Sequence, residues 1–184
     1  MIFYNQEDVS NHLIKILKKE DDENVSLYGL IFVNELLQNY NDSSFLNIMI
    51  EKNLILILNK LALNSKSNKV IYETLKCFLN VQNCSDYFEI TMADNCILNI
   101  DNCCKFGHTE IIVVILELYY QMCYRNIKIS EKLIKTNTFK YICFFLKDEN
   151  IDIKSNFYLT ICAMNFLAFL IPCEVLTKTE VIFY

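Results

Sequence analysis

Four asparagines recur at a constant separation of 42 residues, each just ahead of an apolar run. Asn11 precedes His12, Leu13, Ile14, Ile16 and Leu17. Asn53 precedes the run Leu54 to Leu63. Asn95 precedes Cys96, Ile97, Leu98 and Ile100, and Asn137 precedes Phe139, Tyr141, Ile142 and Phe144. A beat of this length leaves each unit too small to bury its own apolar side, so neighbouring units must share one interior. The asparagines also have a physical task open to them. Two helices that meet at a tight angle need a residue in the left-handed region, where glycine sits at least cost and asparagine is second choice. Glycine occurs only at Gly29 and Gly107, which leaves the role to asparagine.

The clearest unit is 53–85, two apolar helices joined by the polar turn Asn64 to Asn68. Helical spacing recurs on both sides of it, and strand alternation does not occur. The reading gives helices at Val9–Lys19, Val25–Asn39, Ser44–Lys52, Cys96–Cys104, Ile111–Tyr124, Glu131–Lys135, Phe139–Leu146 and Ile153–Ile171, with a further one from Ser85 to Met92. The acidic run Glu20 to Asn24 caps the helix that follows it, because carboxylates favour a helix N-terminus. Hydrophobic residues make up 53% of 184, enough for a core, and one proline with two glycines leaves little turn material for a sandwich or barrel. The expected organisation is one domain over 1–184, with units at 1–43, 44–84, 85–126 and 127–171 and an incomplete unit or tail at 172–184.

This pattern resembles the armadillo-repeat family. Each unit has a short first helix, a second with a pattern like xLxxLL, a polar turn and a longer third helix. In the second unit Thr74-Leu75-Lys76-Cys77-Phe78-Leu79-Asn80-Val81 matches the family's A-L-x-x-L-x-N-L pattern. The junction glycine is replaced by asparagine throughout, and the other three units match that pattern poorly, so HEAT-type geometry stays open. The resemblance implies an all-α, right-handed superhelical solenoid of about four repeats. It also implies that the third helices line a concave face. In nuclear-import adaptors and catenins an asparagine on that face bonds the backbone of an extended peptide, and Asn80 is the matching position here.

Gln38, Gln121 and Asn165 fall near the same phase as Asn80, with Asn34 one turn ahead of Gln38. A primary amide both donates and accepts, which suits sequence-tolerant capture of a peptide backbone. Lys69, Glu73, Lys76 and Asn80 form one helical stripe, and Glu110, Glu117, Gln121 and Arg125 form another. A solvated face of an ordinary amphipathic helix would look the same. The tryptophans that accompany the amides of import adaptors are absent, which argues against nuclear-signal peptides in particular.

Other chemistry finds little support. Cys96, Cys103, Cys104 and His108 are ligand types for zinc, but their spacing is poor and no CxxC pair occurs. Neither His12 nor His108 sits in a nucleophile setting, and no glycine-rich phosphate loop is present. No metal, no cofactor and no catalytic activity are therefore expected. Nine cysteines without a secretory leader suggest reduced thiols and an intracellular, cytoplasmic or nuclear, protein. A net charge of −5 disfavours nucleic acid and acidic lipid surfaces. The longest apolar stretch, Phe157 to Ile171, is short for a membrane span and contains Asn165; it is expected as a buried third helix. The sequence thus points to a scaffold or adaptor that binds a protein or extended peptide through the third-helix face or through uncapped ends. A structural subunit of a permanent assembly is the alternative, and the apolar terminus Val181 to Tyr184 adds an expectation of self-association.

Overall fold

The computed structural model describes residues 5–19, 22–39, 43–83, 94–147 and 156–170. Every regular element among them is helical, which meets the all-α expectation. The first is α1 (Gln6–Leu17), opened by Asn5, whose side-chain oxygen accepts from the Glu7 amide at 3.2 Å. Next comes α2 (Glu23–Asn39), capped by Asp22, whose Oδ1 accepts from the Asn24 and Val25 amides at 3.1 and 3.2 Å. This is the capping read from the acidic turn. Then follow α3 (Ser43–Glu51), α4 (Leu54–Asn64), α5 (Asn68–Asn83) and α6 (Asp94–Asn102). A 3-10 turn at Cys103–Phe106 leads to α7 (Thr109–Arg125), and a second at Ile127–Ile129 leads to the single-turn α8 (Ser130–Leu133), α9 (Asn137–Lys147) and α10 (Phe157–Leu170). The helix expected at 85–92, Pro172 and the tail 173–184 lie outside the described residues.

The beat asparagines do not share one role. Asn53 takes φ 70° between α3 and α4, as the junction argument requires, and is the only described non-glycine residue with positive φ. Asn11 lies inside α1, Asn95 is the second residue of α6 and Asn137 the first of α9. The left-handed expectation is therefore corrected for these three. Asn11 and Asn95 stand within continuous α-helix, where right-handed backbone is required and no left-handed residue is needed.

The backbone gathers into two compact units, one ending at Cys103 and the other beginning at Cys104. In the first, α2 packs on α5 and α4 on α6, while α1 packs on α2 and α3. The apolar stripes explain these pairings. Leu54, Ile57, Leu58, Leu61 and Ala62 are buried on α4 at the spacing of a single helix face. The α2–α5 contact runs in parallel: Glu23, at the start of α2, meets the turn that opens α5, and Asn34, further along α2, lies between Glu73 and Asn80. The α4–α6 contact is also parallel, with Asn59 against Cys96 and Asn99, and Ala62 against Cys103. Glu23, at the start of α2, reaches across to the α4–α5 turn, where its Oε1 accepts from Ser65 Oγ and from the Lys66 and Ser67 amides at 3.0 to 3.1 Å.

In the second unit α10 lies along α7. Leu159, Ala163, Phe166 and Leu170 form the buried stripe of α10, with Phe166 against Tyr119 at a ring-centroid distance of 5.9 Å. The expectation of a wholly buried helix is corrected here: Phe157, Tyr158 and Met164 are exposed, so only one side of this apolar helix is covered by described residues. No helix among the described residues is long and apolar enough to cross a membrane.

Candidate functional site

The residues singled out from the sequence fall into two groups with different circumstances. Those of the first unit are largely taken up in holding α2 to α5. Asn34 is 2% exposed. Its Nδ2 donates to the Glu73 carbonyl at 3.0 Å and to Glu73 Oε2 at 2.8 Å, and its Oδ1 accepts from Asn80 Nδ2 at 2.8 Å. Glu73 also meets Lys76 at 3.4 Å, and the Lys76 ammonium lies 5.5 Å from the centre of the Tyr72 ring. A buried amide engaged at both ends is not open to a passing peptide, so Asn34 is a packing residue and not part of an accessible ladder. Asn80 and Glu73 are half-buried partners in the same network, while Gln38 and Lys69 are exposed at opposite ends of α2 and α5. Cys77 lies beneath this network. Burial first, and the Glu73 carboxylate second, push its thiol far above the ordinary range.

A second amide pair, which the sequence reading missed, joins α4 to α6. Asn99 Nδ2 donates to Asn59 Oδ1 at 2.8 Å, and Asn59 Nδ2 donates to Cys96 Sγ at 3.1 Å. Cys103 Sγ donates to the Asn99 and Ala62 carbonyls at 3.3 and 3.6 Å. Cys96 and Cys103 thus serve as polar joints between helices. Burial raises the Cys96 thiol, against which the Asn59 amide acts. Cys77, Cys96, Cys103, Cys104, Cys123, Cys143 and Cys162 are thiols, not disulfides, and no cluster of three His, Cys, Asp or Glu among the described residues could hold a metal ion.

The second unit presents a different face. Glu117, Tyr120, Gln121, Tyr124 and Arg125 follow one another along one side of α7 at intervals of three or four or adjoin such positions. On α10 the residues Tyr158, Cys162, Asn165 and Phe169 share one phase. The two sides meet edge to edge. At one end Tyr158 donates its hydroxyl to Glu117 Oε1 at 2.9 Å. At the other, Tyr120 stacks on Tyr124 at 6.4 Å, and Phe169 stands edge-on to Tyr120 at 5.7 Å and tilted against Tyr124 at 6.3 Å. Tyr124 is 67% exposed. Between these ends lie Gln121, half-exposed, and Asn165, exposed, with the Cys162 thiol raised by partial burial and then by Glu117. From Tyr158 to Phe169 is about 16 Å along the helix axis, the length of roughly five extended residues.

This face therefore brings together four sequence-selected residues, Glu117, Gln121, Arg125 and Asn165, with an aromatic cluster the sequence reading did not assemble. Tyr119 and Phe145 are buried, while their neighbours Tyr120 and Phe144 are exposed. The available signal was the i, i+4 spacing of Tyr120 and Tyr124 beside Gln121 and Arg125. Tyrosine offers a broad apolar surface with a polar tip and little entropy to lose, the character of an anchor in a protein interface.

No protein-family model, no curated protein and no solved structure matches this chain.

Proposed function

We propose that the chain is a non-catalytic scaffold or adaptor that captures an extended segment of a partner protein on the α7–α10 face. The observation that carries this reading is the Tyr120–Tyr124–Phe169 cluster, whose two tyrosines are exposed, standing in line with Gln121 and Asn165. Amides at two points suit the alternating N–H and C=O groups of an extended backbone, and the tyrosines supply apolar contact where import adaptors use tryptophan. Glu117 and Arg125 flank the line with opposite charges, so a partner strand with a basic residue near Glu117 and an acidic one near Arg125 fits best.

The same reading places the helices in about four armadillo-like units forming a right-handed superhelix. Its support is the recurrence of side-by-side, parallel helices whose partners are about 40 residues apart: Asn99 and Asn59 differ by 40, Asn80 and Asn34 by 46, and Tyr158 and Glu117 by 41.

Panning a displayed library of unstructured peptides on the full chain tests the proposal. Enriched peptides are expected to lose at least roughly tenfold in affinity, about 1.4 kcal/mol, on Tyr124→Ala and on Gln121→Ala, with the helical circular dichroism unchanged. Peptides indifferent to both substitutions would remove the α7–α10 face as the binding site.

A permanent-assembly subunit is the second reading. It is favoured by Leu56, Leu63, Leu98 and Phe144, large apolar side chains that stand exposed on α4, α6 and α9. A chain that aggregates without partners, and becomes soluble on Leu63→Gln or Phe144→Gln, supports this reading over the adaptor.

A further inference from the structure

In the first unit α2 is apolar on two opposite sides. One side carries Leu30 and Asn34 and meets α5. The other carries Val25, Tyr28, Gly29 and Phe32, two residues or about 200° away in helical phase. With Asp8, Val9, His12, Leu13 and Ile16 of α1, this second side lines an apolar groove of about 740 Å³. Tyr28 is 71% and Phe32 50% exposed.

The chain itself shows what such a side accepts. Helices α2 and α5 begin 45 residues apart, at Glu23 and Asn68. At that shift Val25, Tyr28, Gly29 and Phe32 correspond to Val70, Glu73, Thr74 and Cys77. Glu73 and Cys77 are the residues with which α5 receives α2, and Val70 and Thr74 are buried between them. The groove is thus the α2 counterpart of the surface on α5 that a parallel helix already covers. It differs in chemistry at three of these four points: Tyr28, Gly29 and Phe32 stand where α5 has Glu73, Thr74 and Cys77, so a helix seated there meets apolar rings where α2 meets a carboxylate and a thiol.

We propose that this groove is a docking site for an amphipathic helix of a partner protein, laid parallel to α2 as α2 is laid on α5. The occupant presents aliphatic residues at i, i+3, i+4 and i+7, with no amide opposite Tyr28 to match the Asn34–Glu73 contact, and a basic or amide side chain at the end near Asp8. The argument rests on the stacking of equivalent helices, not on the α7–α10 face, and Phe32 and Tyr124 variants separate the two.

The probe is a stapled peptide of residues 23–39 carrying Asn34→Leu, stapled because an isolated helix of this length is marginal in water. Titrated into the full chain and followed by fluorescence anisotropy, it is expected to bind. Phe32→Asp and Tyr28→Asp each weaken binding at least roughly tenfold, while Ile31→Asp, exposed but outside the groove, and Tyr124→Ala leave it unchanged. Circular dichroism confirms that each variant stays helical. No binding up to roughly 1 mM peptide, or binding that ignores Phe32→Asp and Tyr28→Asp, overturns the proposal. Sedimentation supplies the remaining outcome: a chain that dimerises, and becomes monomeric on Phe32→Asp, gives the groove to a second copy and overturns the partner-helix assignment.

Discussion

Asn80 donates its side-chain amide to Asn34 at 2.8 Å, and Asn34 in turn donates to the carbonyl and carboxylate of Glu73. The match of Asn80 to a peptide-binding asparagine therefore conceals a second use, since its partner belongs to its own chain. The relay runs from Asn80 through Asn34 to Glu73, and its middle member, Asn34, is the buried one. Removing a partner from a buried polar group costs more than the bond itself is worth.

Asn34→Ala is accordingly expected to destabilise the fold by about 2 kcal/mol, and Asn80→Ala by about 1 kcal/mol, since water can reach the half-buried Asn80 position. Urea unfolding of the two variants and of the double variant gives the coupling. A double variant no worse than Asn34→Ala alone is the expected signature of a shared network. Additive losses would mean that the amides act independently.

Three asparagines of the beat are expected to separate sharply. Asn53→Ala places a β-carbon at φ 70° and should cost about 1 kcal/mol, whereas Asn53→Gly should be neutral or slightly stabilising. Asn11→Ala and Asn95→Ala replace helical residues of lower propensity and should stay within about 0.5 kcal/mol of the parent. Equal losses at Asn53 and Asn11 in thermal unfolding would show that the beat marks something other than backbone conformation.

The helices were legible because their apolar positions repeat at 3.6 and their starts carry caps such as Asp22. Which polar residue faces a neighbour was not legible. Asn34 and Gln38 share a phase on α2, yet one is buried against α5 and the other exposed. Only the register of α2 on α5 decides between them, and no local pattern encodes that register. Asn59 and Asn99 went unnoticed for the same reason. Each is one amide on the flank of an apolar helix until the two helices are set side by side. Tyr120, Tyr124 and Phe169 come from helices far apart in sequence, so their cluster exists only in the fold.

Gly29 was visible as a lone glycine inside an apolar helix, a spot where close approach is the usual reason. A β-carbon added there would stand 2.8 Å from Ile16 Cγ2 and 3.0 Å from Leu17 Cδ2. Alanine raises helix propensity by about 1 kcal/mol, but overpacking typically costs about 1–3 kcal/mol. Leu17 can rotate its far end away; the Ile16 branch, fixed close to its backbone, cannot move as freely. Gly29→Ala is expected to lower stability by about 1 kcal/mol net and to loosen α1. Faster amide exchange in α1 than in α4 would report it. A stabilised variant would mean that α1 shifts without cost.

The buried thiols are expected to lower the stability of the fold at alkaline pH. Burial, then Glu73, raises Cys77 far above its ordinary value of 9.0, with Lys76 and the Asn34 hydrogen bond opposing. Below 9.0 the thiol is protonated in both folded and unfolded chains and has no pH effect. Above it the unfolded chain releases the proton while the folded chain keeps it. The folded state then binds more protons, and stability falls as pH rises, by up to about 1.4 kcal/mol per pH unit for this one group. Cys162 and Cys96 are raised in the same direction by their own burial. The informative quantity is therefore the difference between the parent and Cys77→Ala. The variant loses a buried sulfur and should be less stable at pH 7, yet its urea midpoint should decline less between pH 8.5 and 10.5. Parallel declines would mean that Cys77 ionises in the fold as readily as in the open chain, which its place beneath the Asn34–Glu73 network does not allow.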